Sequence, residues 1–517
     1  MTKRYLQELD TFYGNVIPEE EGMIVGYASI IKAHNLKVPI PDRLSLISKR
    51  TKKYQKGKWN IYSKSYKPEN NLYKQLSFAL KYEGVQLIIF KKLFEKIESF
   101  KIIEIVNEDP EGIYARKIWF LYEWLLNTRL DIEDAVSKMR YVDLADSKLQ
   151  YTVNTPIKHK RQRINFNLLG NIGYCPTIIK TSKLENLIKK DLKSQIAIYQ
   201  EGISPQLLRR AYGFLLLKET KSSYNIEGEK PPKNQKAKFF NDAVKQAGKN
   251  ILDKKELVRL QELIVDSRKV RYQMGFRKEG GFIGEHDPET NEPLPEHISC
   301  KQEDIEQLIE GLLKTNTKLV DSNLSPVLAA ALISFGFVFM HPFVDGNGRT
   351  HRYLIHHVLG EMNYSNSKWI FPISSAIEKD LNKYLTTLEH FSRPLLDFTE
   401  YEVTAKHNVN VTNDTMDYFR YFDCTQQAIY LFKCIEDTIE KIIPNEINYL
   451  KQFDTFKEAI EENLEIPDSK VKLLANLLSN NTDNKLSKKK WESQFQLLSK
   501  EDVKLIERIY KESFKVD

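Results

Sequence analysis

Residues 341–352 of this 517-residue chain combine a histidine, a carboxylate and two arginines with a glycine-rich turn; they read His-Pro-Phe-Val-Asp-Gly-Asn-Gly-Arg-Thr-His-Arg. Glycines let backbone N–H groups approach a phosphate, and a helix that begins there adds unpaired donors and a positive dipole end. His341 can act as a base near neutral pH, and Asp345 offers a hard oxygen ligand to a phosphate-bound Mg²⁺. Arg349 and Arg352 share one helix face and can reach the same polyphosphate. The pattern predicts transfer of a phosphorus group from a nucleotide to a hydroxyl.

Two helices are expected to hold this loop. Residues 327–340 are almost entirely apolar and follow a Ser-Pro pair, which is typical of an N-cap and a first helical position. Because Pro342 disfavours helical geometry at the residue before it, this buried helix is expected to end at His341. A second helix is expected over residues 349–359. The glycine-rich turn therefore leads into the N-terminus of a helix.

The run from 341 to 352 resembles the signature of the Fic family, His-Pro-Phe-x-(Asp/Glu)-Gly-Asn-Gly-Arg-x-x-Arg, at every fixed position. The resemblance implies a small helical bundle that moves AMP from Mg-ATP to a Ser, Thr or Tyr hydroxyl of a target protein. It implies that His341 deprotonates the hydroxyl, Asp345 holds the metal and Arg352 holds the γ-phosphate. Phe343 is expected to pack inward and anchor the loop. The phosphate cradle is expected to consist of Gly346, Asn347, Gly348 and Arg349.

A second pattern lies upstream, where Ser223 is followed at the fourth position by Glu227 and then by Gly228. It resembles the inhibitory pattern of Fic proteins, Ser/Thr-x-x-x-Glu-Gly/Asn, in which the glutamate pairs with the second arginine of the signature. A carboxylate on Arg352 occupies the cation meant for the γ-phosphate, so ATP binds only in an unproductive arrangement. The resemblance implies self-inhibition by a helix that precedes the signature. The alternative is an ordinary helix end capped by Gly228, with Glu227 in solvent.

Two further predictions concern the surroundings of the signature. Residues 276–286 are glycine-rich and predicted to be extended, and Phe282, Ile283 and Gly284 look like the flap hairpin of Fic proteins. In relatives this flap lays an extended target segment against the active site by strand addition. Tyr384 is a candidate contact for the adenine, although core packing explains an aromatic residue on a helix equally well.

Composition sets the class of the protein. A length of 517 residues is typical of about three domains, and a hydrophobic content of 41% can supply a core for each. The net charge of +8, from 78 basic and 70 acidic residues, permits a nucleic-acid partner without requiring one. Four cysteines without Cys-x-x-Cys pairs fit a reducing compartment. With no run of about eighteen apolar residues, we expect a cytoplasmic protein without a membrane partner, although secretion as an effector stays open.

The predicted fold class is mostly α, with a central Fic helical bundle, a short β-hairpin flap, and helical N- and C-terminal domains on either side. The domains are predicted at residues 1–180, 181–410 and 411–517. In the first, residues 40–62 admit a winged-helix element, although the lysines there also fit a solvated face. Basic residues 158–163 are predicted to lie in a linker or to line an approach to the site. The last domain is predicted to bind DNA, to dock a target or to form a homodimer.

The predicted function is a protein adenylyltransferase (AMPylator) that uses ATP and Mg²⁺, is autoinhibited by Glu227, and modifies a hydroxyl of target proteins or of itself. Two alternatives stay open. The same site in Fic relatives can also remove AMP, with a glutamate positioning water, which would make the enzyme bifunctional or mainly hydrolytic. A DNA-associated regulator would instead place its flanking helices on nucleic acid and use the Fic centre as a nucleotide sensor.

Overall fold

The computed structural model describes residues 3–19, 22–49, 51–229, 235–265, 274–364 and 370–515, without the side chains of residues 197–201 and 235–239. Helices predominate throughout, which confirms the predicted mostly α class. Within the described residues, no helix is both long enough and apolar enough to span a membrane. The four cysteine side chains are buried as free thiols.

A mixed five-stranded sheet lies near the N-terminus. In spatial order its strands are Gln7–Glu8, Met23–Val25, Leu44–Ser48, Trp59–Ser63 and Tyr54–Lys56. Leu44–Ser48 is buried at every position because it runs between two strands, parallel to Trp59–Ser63 and antiparallel to Met23–Val25. Residues 44–48 therefore form a strand where a winged-helix element would need a helix. A separate two-stranded hairpin, Thr11–Phe12 with Asn15–Val16, lies between the first two of these strands along the chain.

Five helices belong to this part of the chain, with a 3₁₀ turn at Lys64–Tyr66: Tyr27–His34, Leu72–Tyr82, Leu87–Phe94, Ser99–Glu108 and Ile113–Leu126. The first two pack against the sheet, and the other three pack against neighbouring helices. Apolar residues at helical spacing within residues 76–80, 87–97 and 115–126 account for three of these helices, Leu72–Tyr82, Leu87–Phe94 and Ile113–Leu126. Three short strands follow, Val142–Asp143, Ile157–His159 and Ile164–Phe166, and form a small sheet.

The basic cluster at residues 158–163 makes contacts within this part of the fold. Arg161 pairs with Glu123 at 3.0 Å and also with Asp134. Its guanidinium lies 4.9 Å from the centre of the Trp119 ring, which adds a cation–π contact. The contacts of Arg161 are therefore structural.

The middle of the chain contains the helices Ser182–Lys189, Leu192–Glu201, Pro205–Ile226, Gln235–Lys245, Lys254–Ile264, Ile305–Val320, Pro326–Met340, Asn347–Glu361, Ile373–Lys379 and Leu381–Leu396. It also contains two hairpins, Phe282–His286 with Pro293–Ile298 and Tyr401–Val403 with Val409–Val411, and a 3₁₀ turn at Gln302–Asp304. We call Pro205–Ile226 the upstream helix, Pro326–Met340 the buried helix and Asn347–Glu361 the loop helix.

The buried helix is the centre of the fold. All of its residues after Pro326 are buried, and it packs against the loop helix, Ile305–Val320 and Thr425–Asp437. It begins at Pro326 and ends at Met340, as predicted, so the next residue, His341, stands at the start of the loop. A helix held on every side gives the loop a rigid base.

The C-terminal part contains the helices Met416–Arg420, Thr425–Asp437, Ile443–Asn463, Asp468–Ser479, Lys488–Gln494 and Lys500–Phe514, with a π-helical turn at Thr438–Ile442. One continuous core runs from Phe12 to Leu450, and a second core runs from Phe456 to Tyr510. Thr425–Asp437 packs against the buried helix, whereas the second core gathers residues from Phe453 onward. The domain boundaries at residues 180 and 411 stay predictions.

Candidate functional site

His341 ends the buried helix in the left-handed conformation, with φ 51° and ψ 57°. Its Nδ1 lies 3.4 Å from the carbonyl oxygen of Val338, which can only accept, so Nδ1 carries the proton and Nε2 keeps its lone pair. Burial, together with the smaller effects of the neighbouring His297 and Arg277, lowers the pKa of His341 to about 3. The imidazole is therefore neutral at physiological pH and available as a base at Nε2.

Arg277 fixes the backbone that carries this histidine. Its Nε donates to the carbonyl of His341 at 2.9 Å, and its backbone N–H donates to the carbonyl of Pro342 at 2.9 Å. Its Nη2 donates to the carbonyl of Cys300, in the segment that follows the hairpin at Phe282–Ile298. The side chain is buried. Arg277 therefore joins the loop to the hairpin, a role that the sequence analysis missed because no spacing or neighbouring residue marks this arginine.

The turn after the histidine is closed by an amide. Asn347 accepts a hydrogen bond from the N–H of Phe343 at 3.0 Å and donates to its carbonyl at 2.8 Å. Phe343 is fully buried and stacks on Phe276 with ring centres 5.7 Å apart, which confirms its anchoring role. The side chain of Asn347 is thus occupied by the loop itself. Its contribution to a phosphate cradle stays a prediction and would come from its backbone N–H.

Gly346 sets the start of the loop helix. It has φ 91°, and a Cβ there would lie 2.5 Å from Cγ2 of Val265, so both conformation and space favour glycine. The helix begins at Asn347, two residues earlier than predicted. The first N–H to find an intrahelical acceptor belongs to Thr350, which bonds the carbonyl of Gly346. Within the part of the chain that the structure describes, the N–H groups of residues 347–349 have no hydrogen-bond acceptor, and their contact with a phosphate stays a prediction.

Arg352 is fully buried beneath the end of the upstream helix. Its Nε donates to Oγ of Ser223 at 3.0 Å, and its Nη2 donates to the carbonyl of Ser223 at 2.7 Å. The same Nη2 pairs with Oε1 of Glu227 at 2.7 Å. The side chain of Arg352 has no exposed area, whereas 32% of the Glu227 side chain is exposed. The structure therefore brings the two sequence patterns into direct contact.

The Glu227 carboxylate also covers the N-terminal turn of the loop helix. A Cβ placed on Gly348 would lie 2.2 Å from Oε1 of Glu227 and 3.2 Å from Nη1 of Arg352. An anion at this point faces both the positive end of the helix dipole and a guanidinium. The upstream helix ends at Ile226, and Gly228 makes the following turn with φ 68°, so the helix-end description of this pattern also applies. Glu227 is nevertheless paired and not directed into solvent.

A second carboxylate from the same turn reaches the other arginine. Glu229 pairs with Nη1 of Arg349 at 3.2 Å, while Asp345 pairs with Nη2 at 3.1 Å. The guanidinium of Arg349 also lies 5.2 Å from the centre of the Tyr224 ring. Both arginines of the loop helix therefore carry carboxylates from residues just after the upstream helix. The pairing of Glu229 was missed, because nothing in the upstream pattern marks that position.

Polar contacts hold the upstream helix against the rest of the site. Glu219 is fully buried and accepts from His356 at 2.9 Å and from the N–H of Ser374 at 2.7 Å. Nearer the helix end, Asn225 donates to Glu378 at 2.8 Å. These contacts connect the upstream helix to the loop helix and to Ile373–Lys379.

Asp345 is the carboxylate that a metal ion would use. Its backbone carbonyl accepts a bond from Gln261 at 3.0 Å, and its side chain is 41% exposed. Among the described residues no group of three or more potential ligands forms a metal cage. One accessible carboxylate beside a phosphate cradle fits Mg²⁺, which keeps several waters and binds through one or two carboxylates plus substrate phosphates.

The hairpin Phe282–His286 with Pro293–Ile298 lies at the predicted position of the flap. Ile283 is 42% exposed, and the strand register shifts between Ile283 and Gly284. A Cβ at Gly284 would lie 2.2 Å from the carbonyl oxygen of Leu294, so the close approach of the strands requires glycine there. Within the described residues, the strand that contains Phe282 pairs on one edge alone. The other edge has the free groups that strand addition needs.

Tyr384 is buried in the core. Its ring stacks on His351 with centres 6.0 Å apart and tilts against Tyr430 at the same distance. Burial raises the pKa of Tyr384 to about 12, and the nearby Arg352 acts in the opposite direction. Core packing accounts for this aromatic side chain, and its contact with adenine stays a prediction.

Comparison with known protein families agrees with the resemblance carried by the loop at residues 341–352. Residues 251–359 match the model of the Fic/DOC family, so the chain contains a domain of that family. The matched stretch includes the loop and the flap hairpin but neither the upstream helix nor Tyr384.

Curated relatives are similar over about the same stretch. Proteins named protein adenylyltransferase Fic are 28% identical over 126 residues in Nematostella vectensis, 30% over 130 in Drosophila virilis and 26% over 152 in Culex quinquefasciatus. These alignments cover 23%, 24% and 28% of this chain and 27%, 24% and 28% of the relatives. The chain thus spans about a quarter of the length of each.

Two solved structures are also similar. A Fic family protein from Desulfovibrio desulfuricans G20 gives a TM-score of 0.39 at 18% identity, covering 58% of this chain and 86% of that one. A Fic domain containing signaling protein from Bacteroides thetaiotaomicron VPI-5482 gives a TM-score of 0.34 at 19% identity, covering 51% of this chain and 97% of that one.

Proposed function

We propose that this protein is a protein adenylyltransferase that moves AMP from Mg-ATP to a Ser, Thr or Tyr hydroxyl of a target protein, and that Glu227 inhibits it. The contact that carries the proposal is the pair of Arg352 and Glu227 at 2.7 Å, above the free N–H groups of residues 347–349. A cationic, donor-lined cradle is built for phosphates, and a carboxylate from the same chain lies in it.

The base of the reaction is His341. With Nδ1 bonded to Val338, the free Nε2 accepts the proton of the target hydroxyl as its oxygen attacks the α-phosphorus. The bond from the α-phosphorus to the bridging oxygen breaks, and pyrophosphate leaves with the electron pair. Nε2 releases the proton afterwards. The target oxygen thus gains the AMP group, the hydroxyl proton passes to His341, and pyrophosphate is the leaving group.

The loop helix binds the triphosphate. The N–H groups of residues 347–349 and the guanidiniums of Arg349 and Arg352 are placed to hold negative charge that shifts onto the leaving pyrophosphate. Asp345 would hold Mg²⁺, which supplies further charge neutralisation when it is bound. Arg277 keeps His341 in register with the flap and so aligns the base with a bound target segment.

Inhibition follows because Glu227 occupies the guanidinium of Arg352 that the γ-phosphate would bind. Arg352 has three hydrogen bonds, two to Ser223 and one to Glu227, and no exposed surface. A γ-phosphate cannot reach this guanidinium while Glu227 lies over Gly348. ATP that binds in spite of this must place its phosphates elsewhere, so the α-phosphorus is out of line with the hydroxyl.

Intact-protein and peptide mass spectrometry after incubation with Mg-ATP tests the proposal. We expect the mass of one AMP group, less water, on a Ser, Thr or Tyr side chain of the protein or of added lysate proteins. The Glu227→Gly variant should show more of it, and the combined Glu227→Gly, His341→Ala variant should show roughly 10²- to 10⁴-fold less than Glu227→Gly alone. Addition of a single phosphoryl group, or undiminished AMP transfer without His341, would overturn the proposed chemistry.

A further inference from the structure

A cavity of about 490 Å³ lies between the N-terminal sheet and the helices that follow the loop, away from the site described above. The turn between strands Tyr54–Lys56 and Trp59–Ser63 forms one side, and the start of helix Thr425–Asp437 forms another. Its volume is within the usual range of small-molecule sites. We call it the interdomain cavity.

Four cations line the interdomain cavity, and each comes from a different segment. They are Arg43, Lys58, Lys148 and Lys180. Elsewhere in the described residues lysines and arginines commonly pair with carboxylates, as Lys92 does with Glu95. None of the four has a carboxylate within ion-pair distance among the described residues. Lys180 instead lies 5.1 Å from the centre of the Tyr151 ring. None of the four charges is therefore neutralised by a direct ion pair, although Lys58 lies close enough to Asp42 to lower the pKa of that carboxyl.

The carboxylates that line the same cavity are engaged by other groups. Asp42 accepts from His390 at 3.0 Å and from Gln426 at 2.9 Å. Asp423 accepts from the N–H of Thr425 at 2.9 Å. Neither carboxylate is bonded to one of the four cations.

The third carboxylate, Glu83, accepts from the N–H of Tyr27 at 2.8 Å. Burial raises the pKa of Glu83 to about 7 and that of Asp423 to about 6. Near neutral pH part of this acidic charge is consequently lost to protonation. The hydrogen bond to Asp42 raises the pKa of His390, which adds positive charge at the cavity wall.

Two amides on the sheet side add hydrogen-bonding groups. Gln55 and Asn60 lie directly opposite each other in the antiparallel pair of strands, and both line the cavity. Their side chains form no hydrogen bond within the described part of the chain. An amide side chain has two N–H donors and one acceptor oxygen. Gln55 and Asn60 can therefore hydrogen-bond either a donor or an acceptor group of a bound molecule.

We propose that the interdomain cavity binds a small phosphorylated molecule. Its phosphate would lie among the four cations, and its polar remainder would contact Gln55 and Asn60. A polynucleotide is the less suitable partner, because the four cations belong to four separate segments that line one cavity and not to a single strand or helix. Lys52 and Lys56, which are exposed like Lys58 and Lys148, lie outside the cavity lining.

Titration calorimetry with inorganic pyrophosphate, in the absence of metal, tests this site. We expect the double variant Lys58→Gln, Lys148→Gln to weaken binding at least tenfold, since each substitution removes a charge-assisted contact to the phosphate. The matched pair Lys52→Gln, Lys56→Gln changes the same net charge outside the cavity and should bind like the wild type. Arg352→Ala should also keep this binding, which separates the cavity from the phosphate cradle of the proposed function.

A measurement on the unaltered protein guards against loss of folding in the variants. Pyrophosphate should protect Lys58 and Lys148 from acetylation, read by mass spectrometry, and should leave Lys52 and Lys56 reactive. Wild-type affinity in the cavity pair, equal loss in the matched pair, loss of all binding in Arg352→Ala, or uniform lysine reactivity would each overturn the proposal. Preferential binding of a single-stranded oligonucleotide that depends on Lys52 and Lys56 would replace it with a surface for nucleic acid.

Discussion

Replacing Glu227 by glycine should raise self-modification, whereas replacing Arg352 by alanine should not, although both changes break the same 2.7 Å pair. Without Glu227 the guanidinium is free for the γ-phosphate and aligns the α-phosphorus for attack. Without Arg352 the inhibition is gone, but so is the phosphate clamp. The double variant should therefore behave like Arg352→Ala, because the two residues act on one contact.

The size of the increase follows from the burial of the pair. Exposed ion pairs contribute roughly 0 to 1 kcal/mol, and breaking a buried pair costs roughly 3 to 5 kcal/mol. With Arg352 fully buried and Glu227 32% exposed, opening should cost an intermediate amount, about 2 to 3 kcal/mol. Since 1.4 kcal/mol is a factor of ten, the productive state is populated roughly 30 to 150 times less than the closed one. Glu227→Gly should raise the initial rate by a comparable factor.

The assay is incorporation of AMP from α-labelled ATP into the wild type, both single variants and the double variant. Asn225→Gly is a matched control, since it also places glycine at the end of the upstream helix but removes a side chain that bonds Glu378 and neither arginine. A Glu227→Gly rate equal to the wild type would refute the reasoning. So would a double variant as active as Glu227→Gly, or an Asn225→Gly variant activated to the same degree.

Four further predictions concern the same site. His341→Ala should lower AMP transfer by roughly 10²- to 10⁴-fold and leave ATP affinity nearly unchanged, measured by labelled-AMP incorporation and calorimetry. Asp345→Ala should remove the increase in ATP affinity that Mg²⁺ gives, read by calorimetry with and without the metal. Glu229→Gln should raise self-modification less than Glu227→Gly, because Glu229 is 43% exposed and its pair is worth roughly 1 kcal/mol or less. Burial lowers the pKa of His351 to about 3 and that of His297 to about 4, below the unfolded value near 6.5, so the unfolded state binds more protons between these limits. The free energy of unfolding, from urea titrations, should therefore fall as pH drops through that window, by about 1.4 kcal/mol per pH unit for each such histidine.

Each of these has a result that contradicts it. Full activity in His341→Ala places the base elsewhere. Equal responses of wild type and Asp345→Ala to Mg²⁺ assign the metal to another residue. An increase in Glu229→Gln as large as in Glu227→Gly would mean that Arg349, and not Arg352, limits the reaction. Stability that is constant or rises between pH 6.5 and 4 would show that these histidines do not stay neutral in the folded state.

Local signals in the sequence predicted the loop well. The end of the buried helix follows from Pro342, and the inward position of Phe343 follows from its place in the signature. The upstream pattern predicted the partner of Arg352 although the two lie 125 residues apart. That prediction came from resemblance, because spacing alone cannot show which cation a distant glutamate meets.

What the sequence could not give depends on long-range packing. Arg277 is one arginine among many, and its backbone partners at His341, Pro342 and Cys300 come together only when the hairpin folds onto the loop. The strand at Leu44–Ser48 has an apolar pattern too short to separate from a helix, and its neighbours in the sheet decide the outcome. The spacing of four between Phe343 and Asn347 lets the Asn347 side-chain amide close the loop, which the sequence analysis did not predict, and the predicted phosphate contact of Asn347 is left to its backbone N–H.

The contacts around the upstream helix indicate how inhibition would be released. Glu219 is buried with His356 and Ser374, so withdrawal of the whole helix would leave a carboxylate without its partners. Glu227 and Glu229 lie beyond the last helical residue, with exposed side-chain surface and a glycine between them. Rearrangement of this short turn would withdraw the carboxylates from both arginines without breaking the buried bonds of Glu219 or the two bonds between Arg352 and Ser223. The conformational change with the lower free-energy cost is the more populated one. We therefore infer that activation needs a rearrangement of a few residues after Ile226 and not dissociation of the whole upstream helix.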